Sequence, residues 1–193
     1  GVTSTVGAIQ NSTSIYGLFN SGTITSIENS ANILSFSTTN TGAITNQHLI
    51  TLIKNKATGN ITGYNAYNYY GIYNDNGTIT TIENYGTISA PNASSPDIYN
   101  KNGTIGTLIN SQGGSDALIY KGSAPTNYEI VISDSTNYGK LQGLSFINTM
   151  NFSINEDSDL SFGGNDYTEY DSTTTLNPEP GKAYYINSEK AIT

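Results

Sequence analysis

Apolar residues recur from the start of the chain to Asn110 in short groups that end in asparagine. Two columns of asparagine and one of isoleucine can be followed through four copies of this pattern. The columns are Asn20, Asn46, Asn74 and Asn100; Asn29, Asn55, Asn84 and Asn110; and Ile24, Ile50, Ile79 and Ile105. In all three columns the longest interval falls between the second and third copies. A random asparagine-rich sequence would not reproduce the isoleucine spacing, so the chain contains an internal repeat.

The repeat advances by about 26–29 residues per copy, a period that fits one turn of a right-handed parallel β-helix with three short strands and three bends. Tetratricopeptide and ankyrin repeats are longer and helical, and the leucine spacing of leucine-rich repeats is missing. We therefore predict an all-β solenoid whose turns stack about 4.8 Å apart and bury one apolar set per turn. The predicted inward residues are Leu18, Ile24, Ile27, Ile33, Ile44, Ile50, Ile53, Ile61, Ile72, Ile79, Ile82, Ile88, Ile98, Ile105 and Leu108.

The two asparagine columns are expected at bends, where stacked side-chain amides can hydrogen-bond from one turn to the next. The dipeptides Asn76-Gly77 and Asn102-Gly103 provide the positive-φ turn residues that such bends need. Residues 1–122 are predicted to form the solenoid turns. After Gly113-Gly114 the period breaks, and plain alternation follows at 128–132 and 150–154, with a third short strand at 184–186. We predict that residues 123–193 form a β-rich cap or an irregular continuation of the solenoid.

The repeat also carries a family resemblance. The segment from Gly71 to Ile79 (GIYNDNGTI), continued by NYGTI up to Ile88, resembles passenger regions of bacterial autotransporters, most closely the Asn/Thr-rich, vacuolating-cytotoxin-like kind. Residues 128–141 resemble a stretch found late in such passengers, and the likeness covers about residues 11–162. It implies export across the outer membrane and display at the cell surface, usually for adhesion, aggregation or toxicity.

Composition narrows the function further. Only 11% of the residues are charged, against about 25% in ordinary soluble domains, and the net charge is −8. Nucleic acid is not expected as a partner because phosphate binding needs clustered basic residues. The chain has no cysteine, no apolar run long enough to span a membrane and no signal peptide at its start, so we expect a mature fragment of a longer chain.

Catalytic constellations are sparse. His48 is the single histidine, and a Ser–His–Asp site would have to use it; a polar residue in an irregular turn is the preferred interpretation. Glu28 and Glu83 share a column two turns apart, a separation of about 9.6 Å that suits glycoside hydrolysis. The repeat places Lys54 between them, which would keep both carboxylates ionised, whereas a general acid must be protonated. We therefore predict no catalytic residues and no cofactor.

Two further sets of residues are candidates for binding. Asp157, Asp159 and Asp166 could coordinate a hard cation such as calcium, but they lack a regular calcium-loop spacing, so a solvated acidic loop without metal is expected. Tyrosine offers a flat apolar face and a hydroxyl group, which suits contacts with glycans or proteins. The predicted binding strip is Tyr64, Tyr67, Tyr69, Tyr70, Tyr73 and Tyr99. Ordinary strand packing is the equal alternative for these rings.

The sequence thus predicts a non-enzymatic fragment of a bacterial cell-surface or secreted protein that acts by adhesion or cell–cell aggregation. Its partner would be a glycan or protein on a host or neighbouring cell, or a second copy of the chain. The alternatives are a structural stalk that displays a distal domain and a polysaccharide-degrading β-helix enzyme. An ice-binding face of Thr-x-Thr motifs is remote, because the motif fails at Leu49 and Gly106.

Overall fold

The computed structural model describes residues 4–35, 41–64, 69–92, 95–134, 136–143 and 150–159, together with the backbone of two short later strands. Within these residues the secondary structure is entirely β, and no helix is present that could cross a membrane. The strands are β1 (Thr5–Asn11), β2 (Ser14–Tyr16), β3 (Leu18–Asn20), β4 (Thr23–Asn29), β5 (Asn32–Leu34), β6 (Gly42–Asn46), β7 (Leu49–Asn55), β8 (Asn60–Thr62), β9 (Tyr70–Asp75), β10 (Thr78–Asn84), β11 (Thr87–Ser89), β12 (Ile98–Lys101), β13 (Thr104–Asn110), β14 (Leu118–Gly122), β15 (Asn127–Ile130), β16 (Leu141–Gln142), β17 (Asn151–Ile154), β18 (Glu169–Tyr170) and β19 (Tyr185–Ile186).

The strands stack into a parallel β-solenoid with three long sheets. The first sheet has the order β1-β4-β7-β10-β13-β15-β17, the second β11-β8-β5-β2, and the third β16-β14-β12-β9-β6-β3. Strands that follow one another along the regular turns lie in different sheets, whereas neighbours within a sheet come from successive turns. The predicted all-β solenoid is confirmed, and every named strand pair in it is parallel.

The core consists of apolar columns that run along the solenoid axis. Ile24, Ile50, Ile79 and Ile105 are Cα partners from turn to turn in the first sheet, as the repeat predicted. All predicted inward residues are buried except Leu18, which is partly buried and packs against the core. Burying an isoleucine side chain contributes about 1.5–3 kcal/mol, so the stacked columns are the main source of stability.

Both predicted asparagine ladders are present. In one, Asn20, Asn46 and Asn74 each donate a side-chain hydrogen bond of 2.8 Å to the amide oxygen of the next asparagine, ending at Asn100. The other begins one turn earlier than predicted, at Asn11, and its bonds of 2.7 to 3.0 Å connect Asn11, Asn29, Asn55, Asn84 and Asn110. These side chains are buried, with 0–4% of their surface exposed. The ladder amides also donate hydrogen bonds to backbone carbonyl groups, either in the same bend or in the next turn. These bonds connect successive bends.

The bends after two ladder asparagines use the predicted Asn-Gly chemistry. Asn76 and Asn102 adopt φ values of 60° and 56°, a left-handed conformation that asparagine tolerates better than most side chains. The following Gly77 and Gly103 lie against ladder amides, and an added Cβ at either would approach an amide nitrogen to 2.3 Å. A side chain at either glycine would therefore displace the ladder.

The solenoid continues beyond the predicted end of its regular turns. β15 and β17 extend the first sheet in parallel, with Leu108, Tyr128 and Phe152 in one column. These last turns are shorter than the regular ones because the second sheet ends at β11 and supplies no strand to them. From β15 to Asp159 the described residues therefore form an irregular continuation of the solenoid, and β18 pairs with β19 in a separate sheet.

Candidate binding surface

Two residues of the predicted tyrosine strip, Tyr73 and Tyr99, belong to an outward column of the third sheet. Phe19, Thr45, Tyr73 and Tyr99 are Cα partners on successive turns, and Lys121 continues the column. Each follows an inward isoleucine or leucine, or in the last case an inward tyrosine, so side-chain alternation directs the column away from the core. The register prediction for this face is therefore confirmed.

The prediction that the tyrosine strip is exposed is wrong for three of its members. Tyr69, Tyr70 and Tyr73 expose only 2%, 9% and 8% of their surface. The ring centroid of Tyr70 lies 5.2 Å from that of Tyr73 and 5.2 Å from that of Tyr99, and the last two lie 5.6 Å apart. Because the ring of Tyr70 packs against both of the others, the three rings cover one another.

Two lysine side chains lie over rings of this group. The ammonium of Lys101 lies 6.0 Å from the ring of Tyr73, and that of Lys121 lies 5.3 Å from the ring of Tyr99. Burial raises the pKa of Tyr70, as expected for a phenol in an apolar cluster. We call Tyr70, Tyr73 and Tyr99 the tyrosine cluster. Its geometry supports packing on the outside of the solenoid, and Tyr67 of the predicted strip lies outside the described residues.

The remaining predicted tyrosine, Tyr64, lies at a different place and is exposed. With Tyr16 it forms part of an open groove of about 620 Å³ on the outside of the second sheet. Both residues expose 63% of their surface. The groove is lined by Tyr16, Leu34, Ser35, Thr62, Gly63, Tyr64 and Pro91. We call this feature the axial groove, because its floor follows the solenoid axis.

The floor of the axial groove is a side-chain column. Tyr16, Leu34 and Thr62 are Cα partners on three successive turns. They follow Ile15, Ile33 and Ile61, which belong to the core or pack against it, so they point outward. The wall is formed by the bend after the second sheet, where Ser35 and Gly63 are buried and Pro91 belongs to the next turn.

The backbone around the axial groove is already hydrogen-bonded. The N–H groups of Gly17, Ser35 and Gly63 donate to carbonyl oxygens of neighbouring turns at 2.7 to 3.0 Å. The N–H of Tyr64 donates to the hydroxyl oxygen of Ser35, which fixes the backbone that carries the Tyr64 ring. A ligand in the groove would therefore contact side chains. These are two phenol rings, the aliphatic side chains of Leu34 and Pro91, and the hydroxyl group of Thr62.

The axial groove was not predicted from the sequence, although the adjacent inward column was. Ile33, Ile61 and Ile88 are predicted to face inward, and the residues that follow them, Leu34, Thr62 and Ser89, must then face outward. Tyr16 belongs to the same column, but the first turn is shorter than the others and does not follow the repeat interval. The outward column could therefore be predicted from Leu34 onwards, whereas the place of Tyr16 in it could not.

The charge ladder is present with one change. Glu28, Lys54 and Glu83 are Cα partners, as predicted. Lys54 bonds to Glu83 at 2.6 Å, and this hydrogen bond raises the pKa of Lys54. Glu28 is instead paired with Lys56 at 2.9 Å. Each glutamate is thus paired with its own lysine.

The other predicted polar candidates are dispersed. His48 is exposed, and among the described residues its imidazole makes no hydrogen bond or ion pair. Asp157 accepts a 2.6 Å hydrogen bond from the hydroxyl of Tyr85, three turns away along the sheet. Burial is the main cause that raises the pKa of that phenol, and the bond to Asp157 adds to it. Asp166 lies outside the described residues, and the part of the chain that the structure describes contains no cluster of three potential metal ligands.

One buried carboxylate was not singled out from the sequence. Asp97 exposes 6% of its surface and joins three turns. Its two carboxylate oxygens accept hydrogen bonds of 2.7 Å from the N–H groups of Ala90 and Ile119, and its own carbonyl accepts from the N–H of Ile72. Burial raises the pKa of Asp97 to about 6, although the two N–H donors act in the opposite direction.

Comparison of the chain with family models, with curated proteins and with solved structures finds no match.

Proposed function

We propose that this chain is part of a bacterial surface passenger of the autotransporter type and that it acts by binding, in adhesion or cell–cell aggregation. The parallel solenoid with asparagine ladders supports this assignment together with the resemblance of residues 71–88 to such passengers. Its location would be the cell surface or the extracellular medium. The partner would be a glycan or protein on another cell, or a second copy of the chain.

One observation carries the binding role: Tyr16 and Tyr64 are both 63% exposed beside an open groove. A soluble protein rarely leaves large aromatic side chains exposed together unless they contact something. Tyr70 and Tyr73 of the tyrosine cluster expose only 9% and 8% of their surface and therefore offer less contact area.

A stalk is the second candidate function. The isoleucine columns and both asparagine ladders run without interruption through four turns, which favours a stiff rod that could hold a distal domain away from the cell. A polysaccharide-degrading enzyme is less favoured, because the two glutamates that would have to perform the catalysis form ion pairs with Lys54 and Lys56.

Binding of the purified chain to bacterial and host cells tests the proposal. Fluorescently labelled wild-type protein should bind saturably, and a Tyr16→Ala/Tyr64→Ala variant with an unchanged melting temperature should bind at least about tenfold more weakly. Absence of saturable binding to every cell type, together with absence of self-association in sedimentation, would favour the stalk. Release of reducing sugar from a polysaccharide would instead support the enzyme.

A further inference from the structure

The axial groove has the chemistry of a site for an uncharged sugar chain. A pyranose ring has an apolar C–H face and a rim of hydroxyl groups. Tyr16 and Tyr64 present flat rings of the same dual character, because a phenol is apolar on its face and polar at its tip. Thr62 adds a hydroxyl group to the floor of the groove.

The charge of the groove lining and of the whole chain indicates which class of sugar could bind. Among the described residues, those that line the groove include no Asp, Glu, Lys, Arg or His. The chain as a whole carries a net charge of −8. A uronate or sialylated chain would meet repulsion from this field and no cation in the groove to offset it. The lining therefore matches a neutral glycan.

The backbone argues against a peptide in the same place. Extended peptides usually bind by adding a strand to an unpaired sheet edge. Tyr16 lies on β2, the edge strand of the second sheet, but Leu34 and Thr62 lie on the inner strands β5 and β8, which pair on both sides. The N–H groups of Ser35, Gly63 and Tyr64 are also occupied. A peptide lying along the groove would cross these strands and would find rings and a hydroxyl group but no ladder to extend.

The floor of the groove runs along the solenoid axis, which indicates that the ligand is a linear chain. Tyr16, Leu34 and Thr62 repeat once per turn along the axis, with a strand spacing of about 4.8 Å. That spacing is close to the length of one sugar unit in an extended chain. The groove spans these three turns and reaches Pro91 of the fourth.

We propose that the axial groove binds a linear, uncharged oligosaccharide that lies along the solenoid axis with sugar faces against Tyr16 and Tyr64. This inference rests on the proposed binding function and names its ligand class and its site.

The test uses the purified full chain and a panel of defined hexasaccharides. Cellohexaose, chitohexaose and maltohexaose are the neutral probes, and hexagalacturonate is the charged one, with binding measured by titration calorimetry. We expect saturable binding of at least one neutral probe and none of hexagalacturonate. Tyr16→Ala and Tyr64→Ala should each weaken the binding by about tenfold or more, while Tyr64→Phe should retain most of it because the ring remains.

Phe19→Ala is the matched control, since Phe19 is similarly exposed but lies on the third sheet, outside the groove. It should leave the affinity for the oligosaccharide unchanged. Binding of the charged probe in preference to the neutral ones would overturn the inference, as would neutral binding that Tyr16→Ala and Tyr64→Ala do not affect.

The cell-binding experiment separates this inference from the proposed function. If cells are bound but no neutral oligosaccharide is, or if Phe19→Ala abolishes cell binding while the groove variants do not, the sugar site is refuted and adhesion stands. If neither cells nor sugars are bound, both fail.

Discussion

The side-chain amide of Asn74 donates a 2.8 Å hydrogen bond to the amide oxygen of Asn100, which lies directly above it in the next turn. Asn74 also donates to the carbonyl of Gly77 and accepts from Asn46. One buried side chain thus connects three turns. Its removal would leave both neighbouring amides short of a partner in a site that excludes water.

Asn74→Ala should lower the free energy of unfolding by about 3 kcal/mol, since each buried polar group left without a partner costs about 1–3 kcal/mol. Urea denaturation followed by circular dichroism measures the change. Asn32→Ala is the matched control, because its bond to Asn60 is exposed and longer, at 3.3 Å. The control should change stability by about 0.5 kcal/mol or less. Equal effects of the two variants would contradict a structural role for the buried ladder.

Tyr73→Ala should destabilise the solenoid and should not act mainly on binding. The residue is 8% exposed and its ring contacts those of Tyr70 and Tyr99, so its removal should cost about 2–4 kcal/mol. Tyr64→Ala, which removes an exposed ring, should leave the melting temperature nearly unchanged. A thermally silent Tyr73→Ala variant that loses cell binding would restore the tyrosine cluster as the contact site.

Lys54→Met should cost about 1 kcal/mol or less, because the pair of Lys54 with Glu83 is partly exposed and the aliphatic part of the side chain is retained. The loss should shrink further at a salt concentration of about 1 M, where screening weakens ion pairs. Comparison of urea midpoints at low and high salt measures both effects. A loss that does not depend on salt would contradict the ion pair as the source of the effect.

The enzyme alternative has its own decisive variants. Glu28→Gln and Glu83→Gln should have no effect on any sugar-releasing activity, because each carboxylate is held in an ion pair with its own lysine. Reducing-sugar assays on plant, bacterial and host polysaccharides provide the measurement. An activity that disappears in both variants but persists in Glu129→Gln, in the same column two turns further on, would establish the two glutamates as a catalytic pair.

Asp97 predicts a pH dependence of stability. Its pKa is raised in the folded state, to about 6 from an ordinary value of 3.8, so the folded protein holds the proton more tightly than the unfolded chain. The stabilising contribution is complete below pH 3.8 and is lost as the pH rises through 6. Between about pH 5 and pH 7 the wild type should therefore lose about 1 kcal/mol of stability from this group.

Asp97→Asn tests this dependence by its slope. The variant should be less stable than the wild type, because an amide nitrogen cannot accept the N–H of Ala90 or Ile119. Its stability should nevertheless change little across the same pH interval. Thermal unfolding at the two pH values gives the comparison, and parallel slopes in the wild type and the variant would contradict the assignment.

The solenoid, its register and its core could be predicted from the repeat alone. Isoleucine and asparagine recur at regular intervals because every turn meets the same environment: a dry interior on one side and a bend stacked on an identical bend along the axis. Periodic positions such as Asn46 and Ile50 could therefore be placed without coordinates. The same reasoning located Lys54 between Glu28 and Glu83, because strand register fixes Cα partners.

Which outward residues are exposed depends on packing between turns and could not be predicted from the repeat. Side-chain alternation directs Tyr73 away from the core, but whether solvent reaches it depends on Tyr70, whose ring packs against it and against Tyr99. The length of the first turn likewise decides that Tyr16 lies beside Leu34 and that the groove exists. Exposure and shape arise where the repeat is irregular, and there the position of a side chain depends on contacts between turns that a periodic pattern does not encode.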